Sequence, residues 1–126
     1  MEWKSMDAMK ADTDQFYGTE GYHFNPLYKS MNYTDGIQFI GAHGFGWLID
    51  EIGINHHARM VEDGAGFYIV VLDVKDTRAK LTICVDIDGA NLQDVLVEKE
   101  IDHTDAPEGR LTLYWQNGVL FLPSEY

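Results

Sequence analysis

Apolar residues follow a helical spacing in the first half of the chain and a period of two in the second half, with the change near Gly64. Residues 1–12 are typical of an amphipathic helix, and a second helix is expected to begin at Thr34, whose hydroxyl can cap its first turn. The clearest helical pattern runs from Trp47 to about His57. The first half is therefore expected to form a helical layer.

Strands are expected throughout the second half. Residues Phe67 to Val74 are apolar on both faces, which is typical of a strand at the centre of a sheet. Residues Lys80 to Ile87 alternate between apolar and polar positions, and so do residues 95–102. A terminal hairpin follows, because Asn117-Gly118 stands between two apolar alternations.

The two faces of this terminal hairpin differ in character. A two-residue turn places Trp115 opposite Leu120 and Tyr114 opposite Phe121. The inward face is predicted to carry Leu111, Leu113, Trp115, Leu120 and Leu122. On the outward face, Tyr114 and Phe121 are either covered by helices or form an exposed aromatic contact at an interface.

Together these elements predict one α+β domain over residues 1–126. Helices in residues 1–63 pack on an antiparallel sheet of about five strands in residues 64–126, a meander that ends in the terminal hairpin. The length suits a single domain, and an apolar content of 45% is enough for a real core.

Charge is the strongest compositional signal. The chain has 21 acids and 9 bases, for a formal net charge of −12. A surface this negative repels nucleic acid and membranes and attracts basic surfaces, although the same charge can serve solubility alone. We therefore expect a basic protein partner, with no direct contact to nucleic acid or membrane.

Acids are densest between Asp86 and Glu108, where eight stand beside the single base Lys99. The candidate partner-binding acids are Asp86, Asp88, Glu98, Glu100, Asp102 and Asp105. Alternate residues of a strand lie roughly 6.8 Å apart, whereas duplex DNA carries a charge about every 1.7 Å of its axis. Imitation of DNA would therefore need acids from neighbouring strands or loops, and the alternative is a solvated sheet face.

Three histidines could contribute to a mixed histidine and carboxylate zinc site: His43, His56 and His57. Adjacent helical residues point about 100° apart, so His56 and His57 can share one ion only if the helix unwinds there. Zinc is thus a possible cofactor. The alternative for His56 and His57 is a cationic C-cap that complements the helix dipole.

No motif predicts catalysis. The chain has no GxSxG, P-loop or GxGxxG sequence, and its single cysteine, Cys84, is expected to pack inside a strand. The first residues lack the pattern of a signal peptide, and no apolar run approaches the roughly 18 residues of a membrane span. We expect a cytoplasmic protein that is not an enzyme.

Four phrases carry a family resemblance. They are Phe16-Tyr17-Gly18-Thr19-Glu20, Tyr33-Thr34-Asp35-Gly36, Trp47-Leu48-Ile49-Asp50-Glu51-Ile52 and Asn117-Gly118-Val119-Leu120-Phe121-Leu122-Pro123-Ser124-Glu125-Tyr126. Read together, they resemble a family of small bacterial, plasmid and phage proteins known only as a domain of unknown function. The resemblance runs from Phe16 onwards, except at residues 55–64, and it brings no catalytic residues.

The resemblance implies a gene carried on mobile elements, and small acidic proteins of such elements are often inhibitors of host defence, including anti-CRISPR proteins. We therefore expect a non-enzymatic inhibitor that binds a basic nuclease or nucleic-acid-binding host protein, such as a Cas effector, and excludes nucleic acid. The alternatives are a zinc-stabilised binding module and an accessory domain with another protein target. The sequence leaves the target and the oligomeric state open.

Overall fold

A computed structural model of the chain describes residues 3–16, 21–25 and 31–126. Its helices are α1 Met6–Thr13, α2 Asp35–Ile40, α3 Gly46–Asn55 and α4 His57–Asp63, and a kinked segment, Gly41–Phe45, joins α2 to α3. Its strands are β1 Tyr22–Phe24, β2 Asn32–Thr34, β3 Phe67–Lys75, β4 Arg78–Asp88, β5 Asn91–Ile101, β6 Gly109–Gln116 and β7 Val119–Phe121. A 3₁₀ turn spans Pro123–Glu125. The predicted α+β class is confirmed.

The sheet has seven strands in the order β1-β2-β7-β6-β3-β4-β5. Its described neighbours pair antiparallel apart from β2 and β7, which are parallel. The five predicted strands are β3 to β7, and β1 and β2 extend the sheet beyond β7. The predicted meander is wrong, because β3 lies between β4 and β6. A strand that is apolar on both faces is stable at such a central position.

The four helices pack on one face of the sheet. Their buried side chains, such as Met9, Ile40, Leu48 and Met60, share one core with that face. The five residues predicted to point inward from the terminal hairpin are all buried there: Leu111, Leu113, Trp115, Leu120 and Leu122. The hairpin prediction is thus confirmed.

The predicted starts of α2 and α3 are accurate to one residue, whereas the helix predicted over residues 1–12 begins only at Met6, with Ser5 as its N-cap. Thr34 caps α2 as expected, and its Oγ1 accepts from the Ile37 amide at 3.5 Å. The helix expected to end at about His57 instead ends at Asn55, and α4 continues the chain after a kink at His56. The Met60 amide bonds to the His56 carbonyl oxygen, so the backbone bonding resumes across the kink. No helix in the described part of the chain has the length and apolar character of a membrane span.

The sheet face away from the helices is partly covered by the long β4–β5 hairpin. A bulge lies between Ile83 and Cys84 in the β4–β5 pairing, and bulges bend the strand that carries them. The guanidinium of Arg110 lies 3.4 Å from the Ala90 carbonyl oxygen, which brings the hairpin tip near β6. Cys84 is buried in a small apolar cluster with Ile69 and Val71, as expected of a packed cysteine, and burial raises the pKa of its thiol.

Candidate functional site

Four aromatic rings cluster on the sheet face opposite the helices, which we call the open face. Tyr114 and Phe121 are cross-strand partners, as predicted, with ring centroids 5.7 Å apart. Tyr126 contacts both rings, at 5.6 and 5.9 Å and nearly at right angles, and Phe67 lies 5.2 Å from Tyr114. Edge-to-face contacts of this kind are favourable beyond the area that they bury. The Tyr114–Phe121 pair is therefore covered by rings, whereas the helices pack on the other face.

Strand β1 adds two more aromatic side chains to the open face. The register pairs Phe24 with Asn32 and Asn32 with Val119, so Phe24 and Tyr22 share a face with Val119 and Phe121. Tyr22, Phe24 and Tyr126 are 65%, 70% and 77% exposed. We call the six residues Tyr22, Phe24, Phe67, Tyr114, Phe121 and Tyr126 the aromatic patch.

A cavity of about 300 Å³ lies beside the aromatic patch. Its walls include Tyr22, Thr34, Gln116, Phe121, Glu125 and Tyr126. Glu125 is only 8% exposed and is the acid among the described residues that line this cavity. The cavity combines aromatic walls with a buried carboxylate.

Glu125 also anchors the end of the described chain to the start of α2. Its carboxylate accepts hydrogen bonds from Thr34 Oγ1 at 2.6 Å, the Leu122 amide at 2.9 Å and the Gly36 amide at 3.2 Å. A carboxylate is favoured at this place because the helix N-terminus carries partial positive charge. Two phrases of the resemblance therefore meet at one point, the 33–36 phrase and the closing run.

The close approach explains why residue 36 is a glycine. A Cβ atom there would lie 2.5 Å from Leu122 Cδ1 and 2.6 Å from Glu125 Oε1. Sequence reasoning missed the role of Glu125 because its partners lie 89 and 91 residues earlier in the chain. The signals available were the cap at Thr34 and the Pro123-Ser124-Glu125 run that precedes Tyr126.

The candidate acids are all exposed but do not form one continuous stripe. Glu98 and Glu100 lie on the edge strand β5, with Asp102 just after it and Asp105 in the following loop. Asp86 and Asp88 lie beyond the bulge, near the hairpin tip. The structure therefore separates the six acids into an edge group and a tip group.

The neighbouring strand brings a base to the edge group. Lys80 Nζ lies 2.8 Å from Glu98 Oε1, and Lys80 is also the cross-strand partner of Glu100. The hydrogen bond from Lys80 to Glu98 raises the pKa of the lysine. Because a cation sits where DNA imitation would need further acids, the edge group is sparser in charge than a nucleic acid backbone.

The three candidate zinc ligands have different surroundings. His43 Nδ1 lies 2.9 Å from the Phe39 carbonyl oxygen, and its ring is 4.3 Å from the Phe39 ring. His56 Nε2 lies 2.7 Å from Glu51 Oε2. Buried His57 accepts a 3.2 Å hydrogen bond at Nδ1 from Trp115 Nε1, and burial lowers the pKa of this histidine.

The structure does not bring these histidines together as metal ligands. Within residues 3–16, 21–25 and 31–126, no group of three or more His, Cys, Asp or Glu side chains is arranged to hold a metal ion. His56 does stand at the end of α3, where the capping alternative places it. Its partner Glu51 is half-buried; burial alone would raise the pKa of its carboxyl, but hydrogen bonds from Lys99 and His56, among others, hold that pKa below its usual range.

Comparison with known proteins places the chain in a family. A family model described as "Family of unknown function (DUF6876)" matches residues 7–126. The chain belongs to this family. The match includes residues 55–64, where the resemblance of the four phrases was lost. Of the first phrase, residues 17–20 lie outside the described residues. No curated protein and no solved structure matches the chain.

Proposed function

We propose that this domain is a non-enzymatic inhibitor that binds a basic, nucleic-acid-binding host protein through the open face of its sheet. The observation that carries the proposal is the aromatic patch, in which Tyr22, Phe24 and Tyr126 are mostly exposed around the Tyr114–Phe121 pair. Contiguous exposed apolar surface is rare on monomeric proteins and marks interaction sites. Aromatic residues are also enriched at the centres of protein interfaces.

The net charge favours a basic protein as the partner. At −12, the domain repels nucleic acids and anionic membranes, and it attracts positively charged surfaces. Proteins that bind nucleic acid carry such surfaces. An acidic domain that covers one of them would exclude the nucleic acid by occupying its place.

The acids and the aromatic patch are proposed to have different tasks. The exposed edge group, including Glu98 and Glu100, is interrupted by Lys80 and is suited to long-range attraction rather than to imitation of DNA. Charges of this kind mainly increase the rate of association. The aromatic patch would then supply the short-range contacts that hold the complex, as aromatic residues do at interface centres.

The most specific form of the proposal is an anti-CRISPR protein that occupies the positively charged channel of a Cas effector or a domain beside it. It is supported by the acidic charge, by the small size of the domain and by the resemblance to proteins of mobile elements. The resemblance supports this form by analogy.

Affinity capture with matched variants tests the proposal. The tagged domain and two variants are used to capture proteins from a lysate of the bacterium that carries the gene. The patch variant combines Phe24→Ser with Tyr126→Ala, and the control Ile54→Ser changes a residue of α3 that is 57% exposed. We expect the wild type and the control to capture a basic nucleic-acid-binding protein that the patch variant fails to capture.

A second measurement tests inhibition directly. The purified partner is assayed for nucleic-acid binding or cleavage with increasing amounts of each variant. Loss of partner activity with the wild type and the control, but not with the patch variant, supports the proposal. Capture that is unaffected by the patch variant, or a partner whose activity is unchanged in the complex, contradicts it.

A further inference from the structure

We infer that the edge of β6 at Thr112 receives an extended segment of the partner, which joins the sheet there as a short added strand. The inference rests on the proposed function for the presence of a protein partner. It adds the conformation in which part of that partner binds and the residue types that suit the edge. Neither the family description nor the sequence patterns assign a role to this edge.

Strand β7 is too short to pair with the whole of β6. The two strands pair from Gln116 to Tyr114, and β6 continues through residues 109–113. After β7 the chain enters the 3₁₀ turn Pro123–Glu125, and proline has no amide hydrogen to donate. Within the described ranges of the chain, no strand pairs with residues 109–113 on the side of β7. This part of β6 is therefore a sheet edge, and such edges are templates for pairing with another chain.

The register of the terminal hairpin decides which backbone groups face this edge. The two-residue turn Asn117-Gly118 has positive φ at both residues, so Gln116 exchanges both of its backbone hydrogen bonds with β7. The pattern repeats at every second residue, which makes Tyr114 the next residue bonded to β7. Thr112 follows in this series, so its N–H and C=O point to the position beyond the end of β7. An extended peptide backbone satisfies a donor and an acceptor in this arrangement.

A cavity of about 580 Å³ leaves room for another chain at Thr112. Its walls include Ile87 and Tyr114 on the open face, and Leu122 and Lys10 on the side of α1. The cavity therefore passes round the edge of β6 from one side of the sheet to the other. Because Tyr114 also belongs to the aromatic patch, the edge is continuous with the surface proposed to bind the partner.

The pleat of the sheet determines which side chains of an added strand meet which walls. Directly paired residues have their side chains on the same face, so the residue opposite Thr112 would point to the open face, toward Tyr114 and Ile87. An aliphatic side chain suits these apolar neighbours. The residues before and after it would point toward α1, because successive side chains of a strand alternate.

The charge at the edge favours basic residues beside this aliphatic one. Among the described residues that line the cavity, Asp14 and Asp86 are the acids and Lys10 is the base. The whole domain is also strongly acidic, with a formal net charge of −12. A basic protein offers segments of this composition, whereas a nucleic acid would be repelled.

Amide exchange in the free domain, followed by NMR, tests the open edge without a partner. We expect the Thr112 amide to exchange about tenfold faster than the amides of Leu111 and Leu113, which bond to β3. A Thr112 amide as protected as its two neighbours would show that the edge is already paired, and would overturn the inference. Protection that appears only as the concentration of the domain rises would assign the edge to a second copy of the chain, and would overturn it as well.

Peptide titration tests the mode of binding. The probe is a capped pentapeptide, glycine-lysine-valine-lysine-glycine, and its control carries a methyl group on the valine nitrogen. The methyl group removes the amide hydrogen that would bond to Thr112, and every side chain stays the same. We expect saturable NMR shifts at Thr112 and Ile87 with the first peptide at millimolar concentration, protection of the Thr112 amide, and about tenfold weaker binding of the control.

Two variants test the same contact from the side of the domain. Thr112→Pro removes the amide hydrogen that faces the cavity and keeps the ladder to β3, since proline is tolerated at a sheet edge whose N–H faces solvent. This variant should bind the peptide about fivefold to tenfold more weakly. Thr112→Val keeps the amide and the branched shape, and should bind as the wild type does. Thermal melts check that both variants fold, and the methylated peptide gives the same comparison on the wild type if proline unfolds the domain.

Two results of the titration would overturn the inference: no saturable shift at millimolar peptide, or equal binding of the two peptides. Failure here is separable from failure of the proposed function. If the peptide does not bind while capture still depends on the aromatic patch, only the assignment of the β6 edge is removed. If the peptide binds as expected but no partner is captured through the patch, the inhibitor proposal is removed instead.

Discussion

The two faces of the sheet use the same strands in different ways. On the helix-covered face, Trp115 and Leu113 of β6 are buried under four helices. On the open face, Tyr114, the residue between them, is covered only in part, by Phe67, Phe121 and Tyr126. The comparison shows that the helices bury one apolar face of the sheet, whereas the other face keeps the exposed side chains of Tyr22, Phe24 and Tyr126.

The faces differ in their polar contacts as well. Beneath the helices, the buried side chains of Tyr68 and Trp115 have internal partners for their polar groups. The Tyr68 hydroxyl donates to Asp63 and accepts from the Ala65 amide, and Trp115 Nε1 donates to His57. Such satisfied buried groups specify one packing arrangement. The exposed tyrosines at the rim of the open face are instead accessible to another molecule.

The largest expected effect comes from removing the buried ring of β6. Trp115→Ala should destabilise the domain by about 3–5 kcal/mol, because it leaves a cavity and removes the donor to His57. Tyr114→Ala should cost only about 1 kcal/mol. Urea unfolding of both variants measures the contrast. Equal losses would show that the two faces contribute equally to stability.

A second test concerns the anchor between α2 and the closing segment. Gly36→Ala should cost about 1–3 kcal/mol, since the new Cβ overlaps the Glu125 carboxylate and the Leu122 side chain. Gly21→Ala is the matched control, because a Cβ there meets its nearest described atom at 3.7 Å. Thermal melts compare the two variants. A Gly36→Ala protein as stable as the control would mean that the closing segment does not hold α2.

A third prediction concerns pH and lies wholly on the helix-covered face. Burial lowers the pKa of His57 below its usual 6.5, and Nδ1 accepts a hydrogen bond, so the folded protein holds the neutral ring. Below pH 6.5 the unfolded chain binds a proton that the folded protein does not. The contribution of His57 to the free energy of unfolding is therefore fully present above pH 6.5. It is lost as the pH falls toward the lowered pKa of His57 in the folded protein.

The variant His57→Asn isolates this contribution, because asparagine offers an acceptor and does not titrate. Urea unfolding at several pH values should show a smaller loss of stability on acidification in His57→Asn than in the wild type. Other groups that titrate are present in both proteins and affect their stability alike. Parallel curves for the two proteins would contradict the prediction.

The last prediction involves no change in stability. If the edge acids attract the partner, its association rate should fall as salt rises, because exposed charges more than about 8 Å apart are largely screened at physiological ionic strength. Glu98→Gln combined with Glu100→Gln should slow association, whereas Tyr126→Ala should accelerate dissociation. Surface plasmon resonance against the captured partner separates the two rates. An association rate that is constant from low to high salt would remove the steering role.

The local features of the fold could be predicted from the sequence because their causes are local. Asn117-Gly118 sets the hairpin register through its own backbone preference, and Thr34 caps α2 three residues away. Both were predicted correctly, and so was the two-faced character of β3. The cross-strand pairing of Tyr114 with Phe121 was also predicted correctly, because it follows from the hairpin register.

The remaining features depend on contacts that no local pattern reports. Strands β1 and β2 have three residues each, too few for a period of two to be visible. The insertion of β6 beside β3 and the approach of Glu125 to α2 join residues far apart in the chain. The position of Lys80 beside Glu98 could not be predicted from the sequence, because it depends on the register between β4 and β5.

The parallel pairing of β2 with β7 bears on the order in which the aromatic patch forms. It joins Asn32 to Val119 and Tyr33 to Leu120, so β1 and β2 attach to the sheet through partners more than eighty residues later in the chain. Contacts at such separation form late in folding, because a long loop must first close. Hydrogen exchange should therefore find that the amides of β1 and β2 exchange faster than those of β3 and β6. Local opening of this pair would carry Tyr22 and Phe24 away from Tyr126 while the helical core stays intact, so binding could be lost without unfolding.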